Sequence, residues 1–117
     1  MKQIFNENDY NFTDSIITEM KLDVQSICDY LMVIDYFLGK KGSISLTFRL
    51  KNVQKLNLSL NKGEKLQLIS LLTLAHISKR KRGEFVELVV ESALSFLPRH
   101  KKNRPLIYCL CEEVYVE

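Results

Sequence analysis

The sequence predicts a mainly β domain in which an antiparallel meander forms a sandwich or a partly open barrel. Three observations lead to this prediction. Apolar and polar residues alternate with period two in several windows, β-branched and aromatic residues fill those windows, and glycine- or asparagine-containing turns separate them. The 117 residues, 46% of them hydrophobic, suit a single β-rich domain that covers residues 1–117.

The first part of the chain contains a lead-in, two strands and a hairpin turn. Residues 1–13 are polar and predict a loose N-terminal lead-in. Residues 16–25 alternate between apolar and charged side chains, as a half-buried strand does. Residues 28–38 are aromatic and apolar on both faces, which is typical of a covered central strand. Gly39 to Gly42 then predict a hairpin turn into the next strand.

The cleanest alternation lies at residues 43–50 and predicts the third strand. Phe48 stands in the middle of its apolar face, so we expect Phe48 to be a core residue. Lys51-Asn52 breaks the alternation, which indicates a bulge or a tight bend. A fourth strand is predicted at 54–60, where leucines alternate with Asn and Ser.

The pattern is ambiguous over residues 64–78 and 84–97, because both segments fit a helical stripe as well as a strand. The neighbouring strands favour a strand at 64–78, and one helix within 64–97 remains an alternative. The basic run between the two segments, Lys79 to Gly83, predicts an exposed turn. A last strand is expected at 106–116, with a change of phase near Glu112 and Glu113.

Charge is divided unevenly along the chain. Residues 1–35 contain seven acids and two bases, whereas the remainder contains fifteen bases and seven acids. Such asymmetry can mark binding faces. The acids proposed as partner-binding residues are Asp14, Glu19, Asp23, Asp29 and Asp35. An alternative basic patch consists of Lys79, Arg80, Lys81, Arg82, Arg99, Lys101, Lys102 and Arg104.

No motif in the sequence predicts catalysis. His76 and His100 have no nucleophile or acid at a spacing that implies a triad, and the four glycines form no phosphate-binding loop. Asp29 and Asp35 would point to the same side of a strand, and a carboxylate pair on one face can serve a hydrolase. Such acids are more often charges at strand ends that limit edge aggregation. We therefore expect no catalytic residue, no metal and no cofactor.

The cysteines and the hydropathy pattern predict a cytoplasmic protein. Cys28, Cys109 and Cys111 are odd in number and few, so we interpret them as reduced, small buried side chains rather than a disulfide framework or a zinc site. No apolar run approaches the roughly 18 residues that cross a bilayer. The polar, acidic N-terminus does not look like a signal peptide.

Three segments carry a resemblance to a known group of bacterial proteins. They are DSIITEMKLD at 14–23, LTFRLKNV at 46–53 and CEEVYVE at 111–117. They resemble the strand motifs of immunity proteins from polymorphic-toxin systems and of their YxiG-like uncharacterised relatives. The resemblance implies a non-enzymatic domain that neutralises a toxin by stoichiometric binding, and no catalytic residue carries over from it.

Two hypotheses of function follow. The first is a protein-binding domain whose acids meet a protein partner, such as a basic toxin domain. The second is a small nucleic-acid-binding domain in which the basic loops 79–82 and 99–104 neutralise phosphates. The positions of the charges on the folded surface would separate the two, because one contiguous acidic face favours a basic protein.

Overall fold

The computed structural model describes residues 3–26, 28–58, 74–92 and 104–117. These residues form strands and two single-turn 3₁₀ helices, the latter at Glu7–Asp9 and Gly39–Lys41. The strands are β1 (Gln3–Ile4), β2 (Ile16–Leu22), β3 (Tyr30–Phe37), β4 (Ser43–Lys51), β5 (Lys55–Leu58), β6 (Leu74–Arg82), β7 (Phe85–Ser92), β8 (Arg104–Cys111) and β9 (Glu113–Val116).

The strands form two sheets, and every pairing is antiparallel. Sheet A has the order β1-β9-β4-β3-β2, and sheet B has the order β5-β8-β7-β6. Each sheet contains a meander of three consecutive strands, β2-β3-β4 in sheet A and β6-β7-β8 in sheet B. The predicted fold class, a mainly β protein built from an antiparallel meander, is confirmed.

The first-half strands lie where the alternation predicted them, within a few residues at their ends. The hairpin between β3 and β4 is closed by the N–H of Leu38, which donates to the carbonyl of Gly42 at 2.8 Å. The predicted bend at Lys51-Asn52 is also present. Asn52 has a φ of 51°, and here the chain leaves sheet A to begin β5 in sheet B. Residues 59–60 of the fourth predicted strand lie outside the described residues.

The single strand predicted at 106–116 is wrong, because the segment forms two strands in different sheets. β8 belongs to sheet B and β9 to sheet A, and Glu112 separates them. The change of phase seen in the sequence is the signature of this crossing. Cys109 and Cys111 face the core from sheet B, whereas Val114 and Val116 face it from sheet A.

The turn predicted at Lys79 to Gly83 is also wrong, since β6 continues to Arg82 and the turn is Gly83-Glu84. Gly83 has a φ of 61°, which glycine adopts without strain. The basic residues are compatible with a strand because β6 is an edge of sheet B, where charges face water. Of the two ambiguous segments, residues 74–78 and 85–92 are strands, and 64–73 and 93–97 lie outside the described residues.

The core lies between the two sheets. Phe48 is fully buried, as predicted, together with Met32 and Leu50 from sheet A and Leu88 and Val90 from sheet B. These large side chains come from alternate positions of their strands, which is why period two was visible in the sequence.

The lead-in predicted at 1–13 is not loose over its described part. β1 pairs with β9, and Phe5 and Phe12 are 1% and 2% exposed. The Phe5 ring lies 5.0 Å from the Phe48 ring, between centroids. The sequence interpretation missed this packing because two isolated aromatics among polar residues have no periodicity to reveal it.

The three cysteines do not share one environment. Cys109 and Cys111 are fully buried, as predicted, but Cys28 is exposed in the loop between β2 and β3, and the prediction of a buried side chain there is wrong. All three are free thiols. The hydrogen bond with Cys111 and burial raise the pKa of the Cys109 thiol far above its usual range.

Candidate functional site

The outward surface of sheet A is built from the residues that alternate with the core positions. On β3, Leu31, Val33 and Asp35 point outward between the buried Met32 and Ile34. Their partners across the sheet also point outward, because side chains that are directly paired lie on the same face. Leu31 pairs with Lys21 and Arg49, Val33 with Glu19 and Thr47, and Asp35 with Ile16 and Ser45.

Arg49 is the centre of a charged cluster on this surface. Its Nη1 lies 2.7 Å from Asp23 Oδ2 and 3.1 Å from Asp29 Oδ2, and its Nε lies 2.7 Å from Glu117 Oε1. One guanidinium therefore holds three carboxylates from the loop between β2 and β3 and from the residue after β9. Because the acids outnumber the base, the cluster remains negative.

Backbone hydrogen bonds fix the two aspartates of the cluster. The N–H of Asp23 donates to the carbonyl of Asp29 at 2.9 Å, which closes the loop. Asp23 Oδ1 accepts from the N–H of Gln25 at 3.0 Å, and Asp29 Oδ1 accepts from the N–H of Asn52 at 2.9 Å. Asp29 is buried, and its carboxylate joins the β2–β3 loop to the bend after β4.

Hydrogen bonds within the cluster shift the pKa values of two of its members, Asp23 and Arg49. The hydrogen bond from Arg49, followed by the one from the Gln25 N–H, holds the pKa of the Asp23 carboxyl below its ordinary value. The hydrogen bonds to Glu117 and then to Asp23 raise the pKa of the Arg49 guanidinium further above its already high value. These hydrogen bonds therefore favour the charged forms of Asp23 and Arg49.

We define the acidic face as five carboxylates around a half-buried apolar centre formed by Leu31 and Val33; four of them are at least partly exposed, and Asp29 is buried against Arg49. The five are Glu19, Asp23, Asp29, Asp35 and Glu117. An apolar centre with a charged, water-accessible border is the usual anatomy of a protein–protein interface. Within the face, Glu19 is half-exposed and pairs only loosely with Lys21, at 3.5 Å.

Four of the five sequence-predicted acids belong to this face, and the fifth lies beside it. Asp14 occupies the turn before β2, with a φ of 67° and an exposed side chain. The sequence interpretation missed Arg49 and Glu117. In the sequence Arg49 is visible only as a charged outward position in the cleanest alternation of the chain, and Glu117 only as the residue that follows the strand paired with it.

The alternative basic patch is not assembled within the described residues. Ser92 pairs with both Leu74 and Arg104, whereas Arg82 pairs with Phe85 at the other end of β7. Arg104 and Arg82 are thus separated by the length of that strand, roughly 23 Å at about 3.3 Å per residue. Arg99, Lys101 and Lys102 lie outside the described residues.

Carboxylates neutralise two cations of the basic strand β6. Lys79 Nζ lies 2.8 Å from Glu113 Oε1, and Arg82 Nη1 lies 3.2 Å from Glu87 Oε2. Glu87 also accepts a hydrogen bond of 2.6 Å from the Tyr108 hydroxyl. That hydrogen bond raises the pKa of Tyr108 and lowers that of Glu87. Arg80 and Lys81 are exposed in the same strand.

The uneven distribution of acids and bases along the sequence becomes a difference in net charge between the two sheets of the folded protein. Residues 3–26, 28–51 and 112–117, which build sheet A and its loops, contain ten acids and five bases. Residues 55–58, 74–92 and 104–111, which build sheet B, contain six bases and three acids. The acids proposed from the sequence therefore share one side of the molecule.

The histidine of the described region is engaged by an acid. His76 Nε2 lies 3.3 Å from Glu7 Oε2, and Glu7 Oε1 accepts from the N–H of Lys79 at 2.9 Å. Glu7 thus covers part of the open edge of β6. Among the described residues, no group of three or more His, Cys, Asp or Glu side chains is arranged to hold a metal ion. In the same part of the chain no helix is long and apolar enough to cross a membrane.

Neither a protein-family model, nor a curated protein, nor a solved structure matches this chain.

Proposed function

We propose that this protein is a non-enzymatic binding domain that holds a basic protein partner against its acidic face. The observation that carries the proposal is the gathering of Glu19, Asp35 and the Arg49-centred cluster on one side of sheet A. The proposed site of action is the cytoplasm, in keeping with the reduced cysteines expected from the sequence.

The geometry suits binding because the face combines rigid and adaptable parts. Asp23 is fixed by backbone and guanidinium hydrogen bonds, and the buried Asp29 holds the same loop in place, so little conformational entropy is lost when a partner docks on this loop. Glu19 and Asp35 lie around Leu31 and Val33, where a partner could bury apolar surface. An excess of negative charge would steer a basic partner during encounter and would reject acidic ones.

Within this class, the proposal favours a bacterial immunity protein that neutralises a toxin stoichiometrically. Its support is the resemblance of residues 14–23, 46–53 and 111–117 to strand motifs of that group. Two of these segments supply parts of the acidic face, since Asp23 ends the first and Glu117 ends the third. A basic toxin domain would be the natural complement of such a surface.

The test is capture from a lysate of the source organism after nuclease treatment. The bait is the wild-type chain, the variant Glu19→Lys/Asp35→Lys, or the control Glu84→Lys/Glu91→Lys. The control makes the same charge change on sheet B. We expect one protein to be retained in stoichiometric amount by the wild type and the control but lost by the acidic-face variant.

Two outcomes would reject the proposal. One is equal capture by all three baits. The other is capture only of nucleic acid from an untreated lysate, lost when Lys79 to Arg82 are neutralised, which would assign the function to sheet B.

A further inference from the structure

The tip of the β3–β4 hairpin differs in chemistry from the rest of sheet A. Three of its apolar side chains are exposed: Phe37 by 44%, Leu38 by 39% and Ile44 by 47%. Lys40 and Lys41 lie between them, exposed at the apex in the 3₁₀ turn. From Tyr36 to Phe48 the sequence contains no acid, although sheet A is otherwise rich in acids.

The apolar side chains surround the apex instead of forming a flat patch. Phe37 continues the alternation of β3 on the outward face of the sheet. Ile44 pairs with Tyr36, which packs against the core, and so lies on the opposite, inward face. Leu38 lies in the turn itself, whose backbone is fixed by the hydrogen bond of its N–H to Gly42. The base of the hairpin is also fixed, because the Phe37 N–H donates to Ser15 Oγ at 3.0 Å.

We propose that this hairpin tip docks on anionic lipid bilayers. A convex tip with apolar groups on both sides needs a partner that surrounds it, and the interfacial region of a fluid bilayer does so without a preformed pocket. Apolar side chains enter the boundary of the acyl chains while lysines remain at the level of anionic headgroups. A second copy of the chain fits less well, because two lysine pairs would face each other.

The acids of the molecule limit the contact to the tip. Asp35 lies two residues before Phe37, and Asp14 adjoins the Ser15 that bonds Phe37, so negative charge begins where the hairpin meets the body. An anionic surface would repel that region. The proposed membrane contact therefore extends over residues 37–44 and no further.

The tip is distinct in position from the Arg49 cluster of the acidic face. Asp29 precedes β3 and Phe37 ends it, so the two lie roughly 26 Å apart at about 3.3 Å per residue. Membrane docking at one end of the hairpin would leave the Arg49 cluster at the other end free to hold a protein. The inference does not rest on the proposed protein partner.

The test uses the absence of tryptophan from the chain. Leu38→Trp places a single fluorophore at the tip, where the native side chain is 39% exposed, and Val24→Trp places one at an even more exposed site (87%) in the loop between β2 and β3. Each variant is titrated with vesicles of phosphatidylcholine alone and with vesicles that also contain phosphatidylserine. We expect a blue shift of the emission only for Leu38→Trp and only with phosphatidylserine.

Charge variants provide the second measurement, by vesicle co-sedimentation. Lys40→Gln/Lys41→Gln should lower vesicle affinity roughly 30-fold, from about 1 kcal/mol per lysine near an anionic surface. The matched control Lys21→Gln/Lys51→Gln removes two lysines away from the tip and should leave affinity unchanged. An unshifted Leu38→Trp spectrum, equal loss in both lysine variants, or a blue shift with increasing protein concentration in the absence of vesicles would overturn the proposal.

Discussion

Arg49 Nη1 donates a hydrogen bond to Asp23 Oδ2 at 2.7 Å and thereby connects the middle of a central strand to the loop between β2 and β3. The same nitrogen lies 3.1 Å from Asp29 Oδ2. Replacement of Asp23 and Asp29 by lysine would therefore remove the hydrogen bonds that hold the β2–β3 loop, as well as reverse two charges. Binding is better tested at Glu19 and Asp35, while the Arg49 cluster is tested through stability.

Replacement of Arg49 by leucine should destabilise the protein. The change leaves three carboxylates without their shared guanidinium, and one of them, Asp29, is buried. We expect a loss of about 2 kcal/mol in the free energy of unfolding, between the values for exposed and buried ion pairs. Urea denaturation measures it. The control Lys51→Leu removes an exposed partner of Glu112 and should change stability by less than about 0.5 kcal/mol.

Phe48→Ala should destabilise the core by about 3–5 kcal/mol, because the ring is fully buried between the sheets and contacts Phe5 and Phe12. Phe37→Ala offers a matched deletion of the same ring at an exposed site. Its effect on the denaturation midpoint should be much smaller. Equal midpoints for the two variants would show that Phe48 does not anchor the core.

Stability should fall in acid. Hydrogen bonds from Arg49 lower the pKa of Asp23 below 3.8, and the hydrogen bond from Tyr108 lowers that of Glu87 below 4.5. A carboxyl whose pKa is lower in the folded state contributes stability above its unfolded pKa and loses it as the pH falls through the folded value. These two groups should therefore not make the denaturation midpoint depend on pH near neutrality. The midpoint should decline below about pH 4.5. Arg49→Leu should show a shallower decline than the wild type, and an unchanged decline would contradict the role given to the guanidinium.

The cysteines should react with a thiol reagent at two rates. Cys28 is exposed, whereas Cys109 and Cys111 are fully buried and burial contributes to the raised pKa of Cys109. We expect one thiol per chain to react quickly in the native protein and two more to react only on unfolding. Cys28→Ser should abolish the fast phase, and rapid reaction of all three thiols would show that the core packing is wrong.

The sequence predicted the strands well where one face is buried and the other is exposed to water, as in β4. Apolar and polar residues then alternate with period two in the sequence itself. It failed where long-range contacts decide the structure. Phe5 and Phe12 are buried by a core that no local pattern reveals, and β8 and β9 looked like one strand because they are separated by only Glu112. Four of the five acids of the candidate face were predicted from the sequence, but Glu117 and Arg49 were not, since only the fold brings Arg49 within hydrogen-bond distance of Asp23 and Glu117.

The most direct test of the central claim is the rate constant with which this protein associates with the captured partner. It is measured by surface plasmon resonance at several salt concentrations, with the partner immobilised. For the wild type and Glu84→Lys/Glu91→Lys, we predict rapid association that slows as salt rises. Glu19→Lys/Asp35→Lys should associate at least about tenfold more slowly at low salt, with a weaker dependence on salt, since its face no longer attracts a basic surface. Equal rate constants for the two variants across the whole salt series would contradict the assignment of binding to the acidic face.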